Sequence, residues 1–493
     1  MKKANIIIRD EVNCKIEGLE LSDRRHLVRK FEYEIPGARY LPSVRLGRWD
    51  GKVSYFQMGG STFINLLPEI IPYLDQAGYD IDVDDAREYS TKFDFKAIDE
   101  ESFANKKWPT GHPMEGKPIL FRDYQVQILN TFLENPQSIQ EVATGAGKTI
   151  MTAALSASVE SYGRSIVIVP SKSLVNQTEA DYINMGLDVG VLFGDRKELG
   201  RTHTICTWQS LNSLFKNSKN DLGASTKNKK DYAIEDITNG LVCVIVDEAH
   251  SAKADSLKSM LSGIFSHVPI RWGLTGTIPK EDYAAQALYC CIGNVAGKLS
   301  AKELQDAGHL SNCHVNILQL VDFVEYKDYQ KELKYLLETE NRLDYIAEIV
   351  NNIAKNGNTL VLVDRVGPGK LLTSKLDKAV FVSGATKAKD RKEEYDEIAI
   401  SNDKIIVATY GVAAVGINIP RIFNLVLLEP GKSFVRVIQS IGRGIRKAQD
   451  KEHVEIWDIT STCKFAKRHL TKRKEFYKEA NYKFTLEKIT WTN

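Results

Sequence analysis

A short segment of the sequence, TGAGKT at residues 144–149, has the residue types needed to hold a polyphosphate. Backbone N–H groups and the positive end of a following helix bind phosphate, and glycine is needed where the backbone curls against it. Lys148 can supply charge to the β- and γ-phosphates, and Thr149 can offer a hydroxyl to Mg²⁺. The predicted nucleotide contacts are Thr144, Gly145, Ala146, Gly147, Lys148 and Thr149.

The segment departs from the pattern G-x-x-x-x-G-K-[ST] because Val142 replaces the leading glycine. We expect this to be tolerated, since the leading position only starts the turn and a residue with ordinary dihedral angles can occupy it. A small-residue turn before a helix, with no ligand, is the simpler structural explanation.

A second acidic segment, DEAH at residues 247–250, follows the apolar run LVCVIV about 100 residues later. Ligands of parallel sheets collect at the carboxyl ends of the strands, where this segment is predicted to lie. Asp247 can hold Mg²⁺ directly or through water, and Glu248 can orient and deprotonate an attacking water. A solvated acidic turn explains such a pair in isolation, but its position after a phosphate loop predicts hydrolysis of a nucleoside triphosphate, with ATP and Mg²⁺ as the expected cofactors.

GAGKT followed by DEAH resembles helicase superfamily 2, and further segments resemble the family's motifs in the family's order. FRDYQ implies an adenine contact by Gln125, while VPSKSLVNQ and CTWQSL resemble the two motifs that contact the nucleic-acid backbone. LTGT resembles the motif that couples the nucleotide to the strand. The resemblance implies nucleic-acid contacts from Ser171, Lys172, Thr207 and Gln209 and coupling by His250, Thr275 and Thr277. A buried glutamine, a helix N-cap at Ser171 or Ser173 and a capped turn are the structural alternatives.

A basic segment near the carboxyl end, QSIGRGIRKA at residues 439–448, matches the family's Q-x-x-G-R-x-x-R. Arg443 and Arg446 are three residues apart, so on a helix they share one face and repel unless they meet an anion. A solvated basic helix is the alternative. With the resemblance, both are predicted to be arginine fingers that reach the γ-phosphate, and Gln439 is predicted to sense the same site.

Two more segments complete this resemblance. ATYGVAAVGINIP (408–420) resembles the motif before the fingers, with Thr409 implied to contact a strand phosphate and Gly416 to allow a tight turn at the nucleotide. TLVLVDRV resembles the fourth motif. The resemblance covers residues 121–447, about two-thirds of the chain.

A segment near the amino terminus, LPSVRLGRWDGKVSYF (41–56), combines basic and aromatic residues. Phosphates could be met by Arg45, Arg48 and Lys52, and flat surfaces could be offered by Trp49, Tyr55 and Phe56. A strand–turn–strand hairpin around Asp50-Gly51, with Trp49 only packing, fits the residues equally well. G-x-W-D-G ahead of a DEAH motor resembles the UvsW-type recombination helicases of tailed bacteriophages, which implies duplex binding by this domain.

The elements that would position these residues are continuous, β-branched apolar runs alternating with helical patterns: SIVIVP, THTICT, LVCVIVD, TLVLVD, KIIVAT and NLVLLE. Such runs predict parallel sheets covered on both faces. Residues 326–353 have helical spacing and are predicted to be packing helices, whereas residues 216–236 are polar, without a periodic pattern, and are predicted to form an exposed insertion. The fold prediction is α/β: two RecA-like parallel-sheet domains in tandem, preceded by a small α+β domain.

Bulk properties limit the class of protein. The 493 residues, 43% hydrophobic and with a net charge of +2, are typical of a globular protein of about three domains whose basic surfaces are local. No apolar run has the length of a membrane span, and the seven cysteines lack zinc spacing, so we expect unbridged thiols and a cytoplasmic protein, in the host cytoplasm if phage-encoded. The predicted division is 1–112, 113–297, 298–460 and a basic extension 461–493, which either continues the DNA track or packs as an amphipathic helix.

The sequence therefore predicts an ATP-dependent DNA helicase or translocase that acts on branched DNA in recombination, repair and replication. The expected partners are forked or four-way duplex DNA with single strands, and possibly single-strand-binding or recombination proteins, without a membrane; the motor is expected to be monomeric. The same motor on RNA, a motor subunit of a restriction-type complex and a passive binding module are the alternatives.

Overall fold

The computed structural model describes residues 2–87, 93–109, 114–220, 234–251, 258–279, 282–384, 386, 397, 401–412, 421–431, 441 and 451–491. The chain forms two compact units. The first unit comprises residues 1–142 and 147–298, and the second comprises residues 143–146 and 299–493. The predicted four-part division is finer than these two units and stays a prediction. None of the described helices combines the length and apolar character needed to span a bilayer.

The first unit begins with a small α+β portion. Its four-stranded sheet has the order β5-β2-β1-β6, and β3 and β4 form a separate antiparallel pair. Alternating buried positions in β1 match a strand with one covered face. Its elements are β1 Lys2–Ile8, β2 Asn13–Glu17, α1 Leu21–Lys30, β3 Glu32–Glu34, α2 Pro42–Arg45, β4 Lys52–Ser54, β5 Ser61–Phe63, α3 Leu67–Gln76 and β6 Tyr79–Asp85.

The rest of the first unit is built on an eight-stranded sheet of order β10-β9-β11-β8-β12-β13-β7-β14. The neighbours from β9 to β7 pair in parallel, and β10 is antiparallel to β9. The strands are β7 Gln137–Val142, β8 Arg164–Val169, β9 Val189–Phe193, β10 Arg196–Lys197, β11 His203–Thr207, β12 Leu241–Asp247, β13 Ile270–Thr275 and β14 Asn294–Leu299. The helices are α4 Asp123–Glu134, α5 Lys148–Val159, α6 Lys172–Asn184, α7 Trp208–Asn220, α8 Ile234–Thr238 and α9 Asp282–Cys291.

The second unit has a seven-stranded parallel sheet of order β17-β18-β16-β19-β20-β15-β21. The strands are β15 Asn312–Val321, β16 Thr359–Val363, β17 Ala379–Val382, β18 Ile405–Thr409, β19 Asn424–Leu428, β20 His453–Ser461 and β21 Lys483–Thr490. The helices are α10 Ala301–Asp306, α11 Tyr329–Glu338, α12 Glu340–Ala354, α13 Val366–Thr373 and α14 Lys464–Glu479. The predicted apolar runs and the two packing helices are confirmed, and every residue of β12, β16 and β19 is buried.

Of the two alternatives for residues 41–56, the strand–turn–strand hairpin is wrong. The chain before Asp50-Gly51 forms the short helix α2, and β4 pairs with β3 instead of with the preceding segment. Asp50-Gly51 is still a turn, in which Gly51 has φ 83° and the Asp50 carboxylate accepts the Lys52 N–H at 3.0 Å. The proline at the first position of α2 favours a helix start, which explains why a helix and not a strand precedes the turn.

The proposed flat surfaces at Tyr55 and Phe56 are also wrong, because both rings are buried in the core of the first unit at 2% and 0% exposure. The Tyr55 hydroxyl donates to the Tyr283 carbonyl of α9 at 2.6 Å, and the Asn65 amide donates to the Tyr289 carbonyl at 2.8 Å. These contacts fix the small α+β portion on the helix that follows the LTGT segment.

The predicted insertion at 216–236 is shorter than expected. Helix α7 continues to Asn220 and α8 begins at Ile234, so both ends of the insertion are helical. Residues 221–233 lie outside the described residues.

A buried charged cluster ties the second unit together at the end of β19. The Arg342 guanidinium lies 3.0 Å from Glu429 and 3.3 Å from Asp322, and Arg342 is fully buried. The Thr460 hydroxyl donates to Glu429 at 3.1 Å. Burial raises the pKa of Glu429 to about 7, although Arg342 and Arg473 act in the opposite direction. The folded state therefore retains a proton that the unfolded chain releases near its ordinary pKa of 4.5.

We predict that Glu429→Gln makes the stability of the second unit less dependent on pH. Because the pKa of Glu429 is raised on folding, the free energy of unfolding falls as pH rises from the ordinary carboxyl pKa through about 7. Thermal unfolding midpoints at about pH 5 and about pH 8 should therefore differ less in the variant than in the wild type. Glu325→Gln, which changes an exposed carboxylate of the same unit, serves as the control. An unchanged difference in Glu429→Gln would contradict the assignment.

Candidate functional site

The candidate residues of the first unit lie along one edge of its sheet. The order β11-β8-β12-β13-β7 and the parallel pairing bring the carboxyl ends of these five strands into a row. The predicted nucleotide residues follow β7, β12 and β13, whereas the predicted nucleic-acid contacts follow β8 and β11. The two predicted sets are therefore neighbours along the same edge.

The loop after β7 has the backbone that a phosphate loop needs. Gly145 has φ 95° and Gly147 has φ 84°, in the left-handed region that favours glycine. Val142 has no positive φ and is 1% exposed at the end of β7, as expected for a position that needs no glycine. Loop residues 143–146, which include the predicted contacts Thr144 and Ala146, group with the second unit, where the Ala143 N–H donates to the Leu299 carbonyl at 2.9 Å.

Gln125 lies close to this loop. A side-chain carbon added at Gly147 would lie 2.6 Å from the Gln125 amide nitrogen. Gln125 is 7% exposed, and its side-chain oxygen accepts the Arg122 N–H at 3.0 Å, at the start of α4. Gln125 is thus both a buried glutamine, as in the structural alternative, and a neighbour of the loop, as the predicted adenine contact requires.

Lys148 and Glu248 form a buried ion pair. The Lys148 ammonium lies 3.0 Å from a Glu248 carboxylate oxygen and donates to the Val142 carbonyl at 3.2 Å, and both charged side chains are at most 10% exposed. The other Glu248 oxygen accepts the Gly276 N–H at 3.4 Å. Glu248 has φ 50°, a conformation uncommon for a residue with a side chain. The predicted phosphate-binding cation and the predicted base therefore face each other.

The predicted Mg²⁺ ligands have the oxygen chemistry that a Mg²⁺ site needs. Asp247 is 3% exposed at the end of β12, and its carboxylate accepts the Glu248 N–H at 3.0 Å. The Thr149 hydroxyl donates to Asp181 of α6, and burial raises the pKa of Asp181 to about 6. Carboxylate and hydroxyl oxygens are suitable Mg²⁺ ligands. Asp181 was missed in the sequence because it lies inside a helical pattern, with no spacing signal that links it to the loop.

The predicted coupling residues form a chain of contacts behind Glu248. His250 Nδ1 lies 2.6 Å from the Thr275 hydroxyl and 3.5 Å from Glu248. The Thr275 hydroxyl donates to the Thr277 carbonyl at 2.7 Å. Burial lowers the pKa of His250, against the opposing effect of Glu248, so a neutral ring is favoured. Thr277 is buried, and its hydroxyl has no hydrogen-bond partner among the described residues, so it can accept a new contact when the site changes.

The predicted nucleic-acid contacts after β8 and β11 divide into capping residues and exposed residues. The Ser171 hydroxyl accepts the Leu174 N–H at 3.3 Å, which makes Ser171 the N-cap of α6. The Thr207 hydroxyl accepts the Ser210 N–H at 3.3 Å at the start of α7. Lys172 and Gln209 are exposed. The structural alternative of helix capping thus applies to Ser171, while Lys172 and Gln209 project from the helix starts.

The remaining predicted residues are placed as follows. Thr409 is half-buried at the carboxyl end of β18 in the second unit. In the small α+β portion, Arg45 and Arg48 are exposed, the Trp49 indole N–H donates to the Lys52 carbonyl at 2.9 Å, and Lys52 pairs with Glu32 at 2.6 Å. Gly416, Gln439, Arg443 and Arg446 lie outside the described residues.

Two protein families match the chain. Residues 118–280 match the family described as Type III restriction enzyme, res subunit, and residues 341–448 match the helicase conserved C-terminal domain. The first match contains the phosphate loop and DEAH, and the second contains Arg443 and Arg446.

Comparison with individual proteins extends this likeness over almost the whole chain. The "ATP-dependent DNA helicase uvsW" of Enterobacteria phage T4 is 24% identical over 479 residues, covering 92% of this chain and 89% of that protein. The crystal structure of T4 UvsW covers 99% of both chains with 20% identity and a TM-score of 0.46. A fragment of a putative HsdR subunit of a type I restriction enzyme from Vibrio vulnificus has a TM-score of 0.55 with 15% identity and covers 97% of this chain and 85% of that one. This last likeness concerns the fold alone.

We predict that Gly147→Ala weakens nucleotide binding and that Val142→Gly does not. Val142→Gly completes the usual pattern but removes a buried side chain, so it should lower the stability of the first unit by about 2 kcal/mol while nucleotide binding persists. Gly147→Ala places a carbon against Gln125 at a positive φ and should weaken nucleotide binding more than tenfold. Titration with a fluorescent ATP analogue and thermal unfolding check both variants. Loss of binding in Val142→Gly with retention in Gly147→Ala would contradict the loop assignment.

Proposed function

We propose that this chain, a UvsW-like helicase of superfamily 2, uses ATP hydrolysis to unwind and remodel branched DNA. The reaction is water attack on the γ-phosphate, and the free energy released is coupled to movement along a DNA backbone. Fork regression, branch migration and strand annealing or unwinding belong to this activity.

The buried pair of Lys148 and Glu248 is the observation that carries the proposal. A buried ammonium needs an anion, and the Glu248 carboxylate is that anion at 3.0 Å. A bound triphosphate competes for Lys148, which is the first residue of α5, where the helix end also attracts phosphate. Glu248 is then left free to accept a proton from water while His250 and Gly276 still hold its second oxygen. Thr149 and Asp247 would hold Mg²⁺, which neutralises charge on the phosphates.

Coupling to movement needs a second set of contacts to the same phosphates. Arg443 and Arg446 are proposed to supply it, with Gln439 and Gly416 beside them, and residues 341–448 match the helicase C-terminal domain. A γ-phosphate held by both sets favours one arrangement of the motor, and hydrolysis removes that preference. Thr275 and Thr277 are proposed to couple the nucleotide site to the proposed strand contacts at Lys172 and Gln209, and Thr409 is the proposed contact of the second unit.

The choice of branched DNA rests on the amino-terminal portion. The amino-terminal G-x-W-D-G resembles the UvsW-type helicases, and Arg45 and Arg48 are exposed close to it. Guanidinium groups in this position can bind phosphates of a duplex arm. Contacts of Tyr55 and Asn65 with α9 hold this portion on the first unit, so a duplex bound there has a fixed position relative to the nucleotide edge.

We predict that Lys148→Ala and Glu248→Gln abolish DNA-stimulated ATP hydrolysis by different routes. Lys148→Ala should lose nucleotide binding, whereas Glu248→Gln should keep it and lower kcat by roughly 100-fold or more, because only the proton acceptor is removed. Steady-state ATPase assays and nucleotide titrations distinguish the two. Lys117→Ala, an exposed position of the same unit, is the control. The proposal fails if Lys148→Ala keeps DNA-stimulated turnover.

Substrate preference is tested with the wild-type chain and a panel of single-stranded, forked and four-way DNA, together with single-stranded RNA. We expect the highest ATPase stimulation and ATP-dependent unwinding with forked and four-way DNA. Stimulation by RNA alone would favour the RNA helicase alternative, and ATP hydrolysis without unwinding of any substrate would favour a translocating subunit of a larger complex.

A further inference from the structure

Helix α14, near the carboxyl end, has one face in the core of the second unit and one face in solvent. Its buried residues are Ala466, Leu470, Arg473, Phe476 and Tyr477. The solvent face carries Lys464, Lys467, Arg468, Thr471, Lys472, Glu475, Lys478 and Glu479. The catalytic residues proposed above include none of these side chains.

The buried face holds α14 firmly on the sheet. The Arg473 guanidinium bonds both Asp458 carboxylate oxygens at 2.8 and 2.9 Å and donates to the Gly431 carbonyl at 2.9 Å. The Tyr477 hydroxyl donates to Asp458 at 2.7 Å. Glu332 accepts the first N–H groups of the helix, from Phe465 and Ala466. A ligand bound to the solvent face would therefore meet a rigid surface.

The solvent face concentrates positive charge, although two local electrostatic effects oppose this arrangement. Lys464, Lys467, Arg468 and Lys472 are spaced by three or four residues, so like charges are neighbours on the helix surface and repel. The first turn contains no acidic residue, although the positive end of a helix favours one. Within Lys464–Glu479, all of which the structure describes, one of these cations forms an ion pair, Lys472 with Glu475 at 2.9 Å. The positive charge of this face is therefore mostly not neutralised, and the face can attract an anion.

The distribution of charge along the chain indicates which kind of anion would bind to this face. From residue 461 to the end there are nine basic and three acidic residues, while the whole chain has a net charge of only +2, so the remainder is net negative. Four cations span about 12 Å of helix, which suits an anion with regularly repeated charges better than a single small ion. The exposed residues of this face are all non-aromatic, so contacts would be to a backbone and not to stacked bases.

We propose that the solvent face of α14 binds the phosphate backbone of the duplex DNA on which the motor acts. The inference rests on the proposed DNA helicase function and adds a second, sequence-independent contact in the second unit. Lys464, Lys467 and Arg468 are its centre. The contact raises affinity for DNA without taking part in ATP hydrolysis.

The test uses the full-length triple variant Lys464→Gln, Lys467→Gln and Arg468→Gln. The matched control is Lys302→Gln, Lys334→Gln and Lys378→Gln, which removes the same charge from solvent-accessible lysines of the second unit that are paired with carboxylates. Binding to a fluorescent forked duplex is followed by anisotropy over a range of salt concentrations. We expect the slope of log Kd against log salt to decrease by about 2 to 3 in the α14 variant only, since each lost phosphate contact removes about 0.9.

ATP hydrolysis separates this inference from the proposed function. Without DNA the α14 variant should hydrolyse ATP at the wild-type rate, and at saturating DNA its kcat should also be unchanged, with a DNA KM raised about tenfold or more. Thermal unfolding checks that the triple variant folds. If the triple variant does not fold, Arg468→Gln alone replaces it and is expected to lower the salt slope by about 0.9. If the salt slope and the DNA KM of the α14 variant equal those of the control, the inference is overturned. The proposed function remains intact in that case as long as the wild-type chain unwinds DNA. A wild type that binds no DNA overturns both, and binding of an acidic protein instead of DNA overturns the inference.

Discussion

The ion pair between Lys148 and Glu248 is the interaction on which the nucleotide site depends. Each charge is nearly excluded from water, and a buried charge without a partner is strongly destabilising, so each group requires the other until a stronger partner arrives. A triphosphate is such a partner for the lysine. Because Lys148 begins α5 and Glu248 follows β12, the pair also links the start of this helix to the end of this strand. In the proposed function, a triphosphate that competes for Lys148 would free the Glu248 carboxylate from this pair.

Parallel strands impose a comparable arrangement in the second unit. Glu429 follows β19 as Glu248 follows β12, both have positive φ, at 43° and 50°, and both pair with a buried cation. A non-glycine residue keeps such a backbone only where its surroundings determine it. In the first unit the cation is a lysine at a loop, where a ligand can displace it. In the second unit Arg342 also bonds Asp322 and the Leu336 carbonyl, so Glu429 is enclosed and serves the fold.

Periodicity and motif spacing predicted the strands and the positions of Lys148 and Glu248 well, since apolar runs and glycine turns are local properties of the chain. Predictions that depended on tertiary packing failed. Tyr55 belongs to the core because α9 covers it, and nothing near residue 55 in the sequence indicates that helix. Asp181 reaches Thr149 only through the packing of α6 beside α5. For the same reason, the local turn signal of Asp50-Gly51 did not reveal that β4 pairs with β3, which lies about twenty residues earlier in the chain.

The attachment of α14 determines what a contact on its outer face could do. Moving the helix would separate Arg473 from Asp458 and from the Gly431 carbonyl, and breaking a buried pair costs about 3–5 kcal/mol. Helix and sheet of the second unit therefore move as one body. Gly431 lies just after β19, on the chain that leads toward Arg443, so the start of that segment is fixed by the same arginine. A DNA backbone held on α14, as proposed, would consequently be fixed to the sheet that contains β19 and β20.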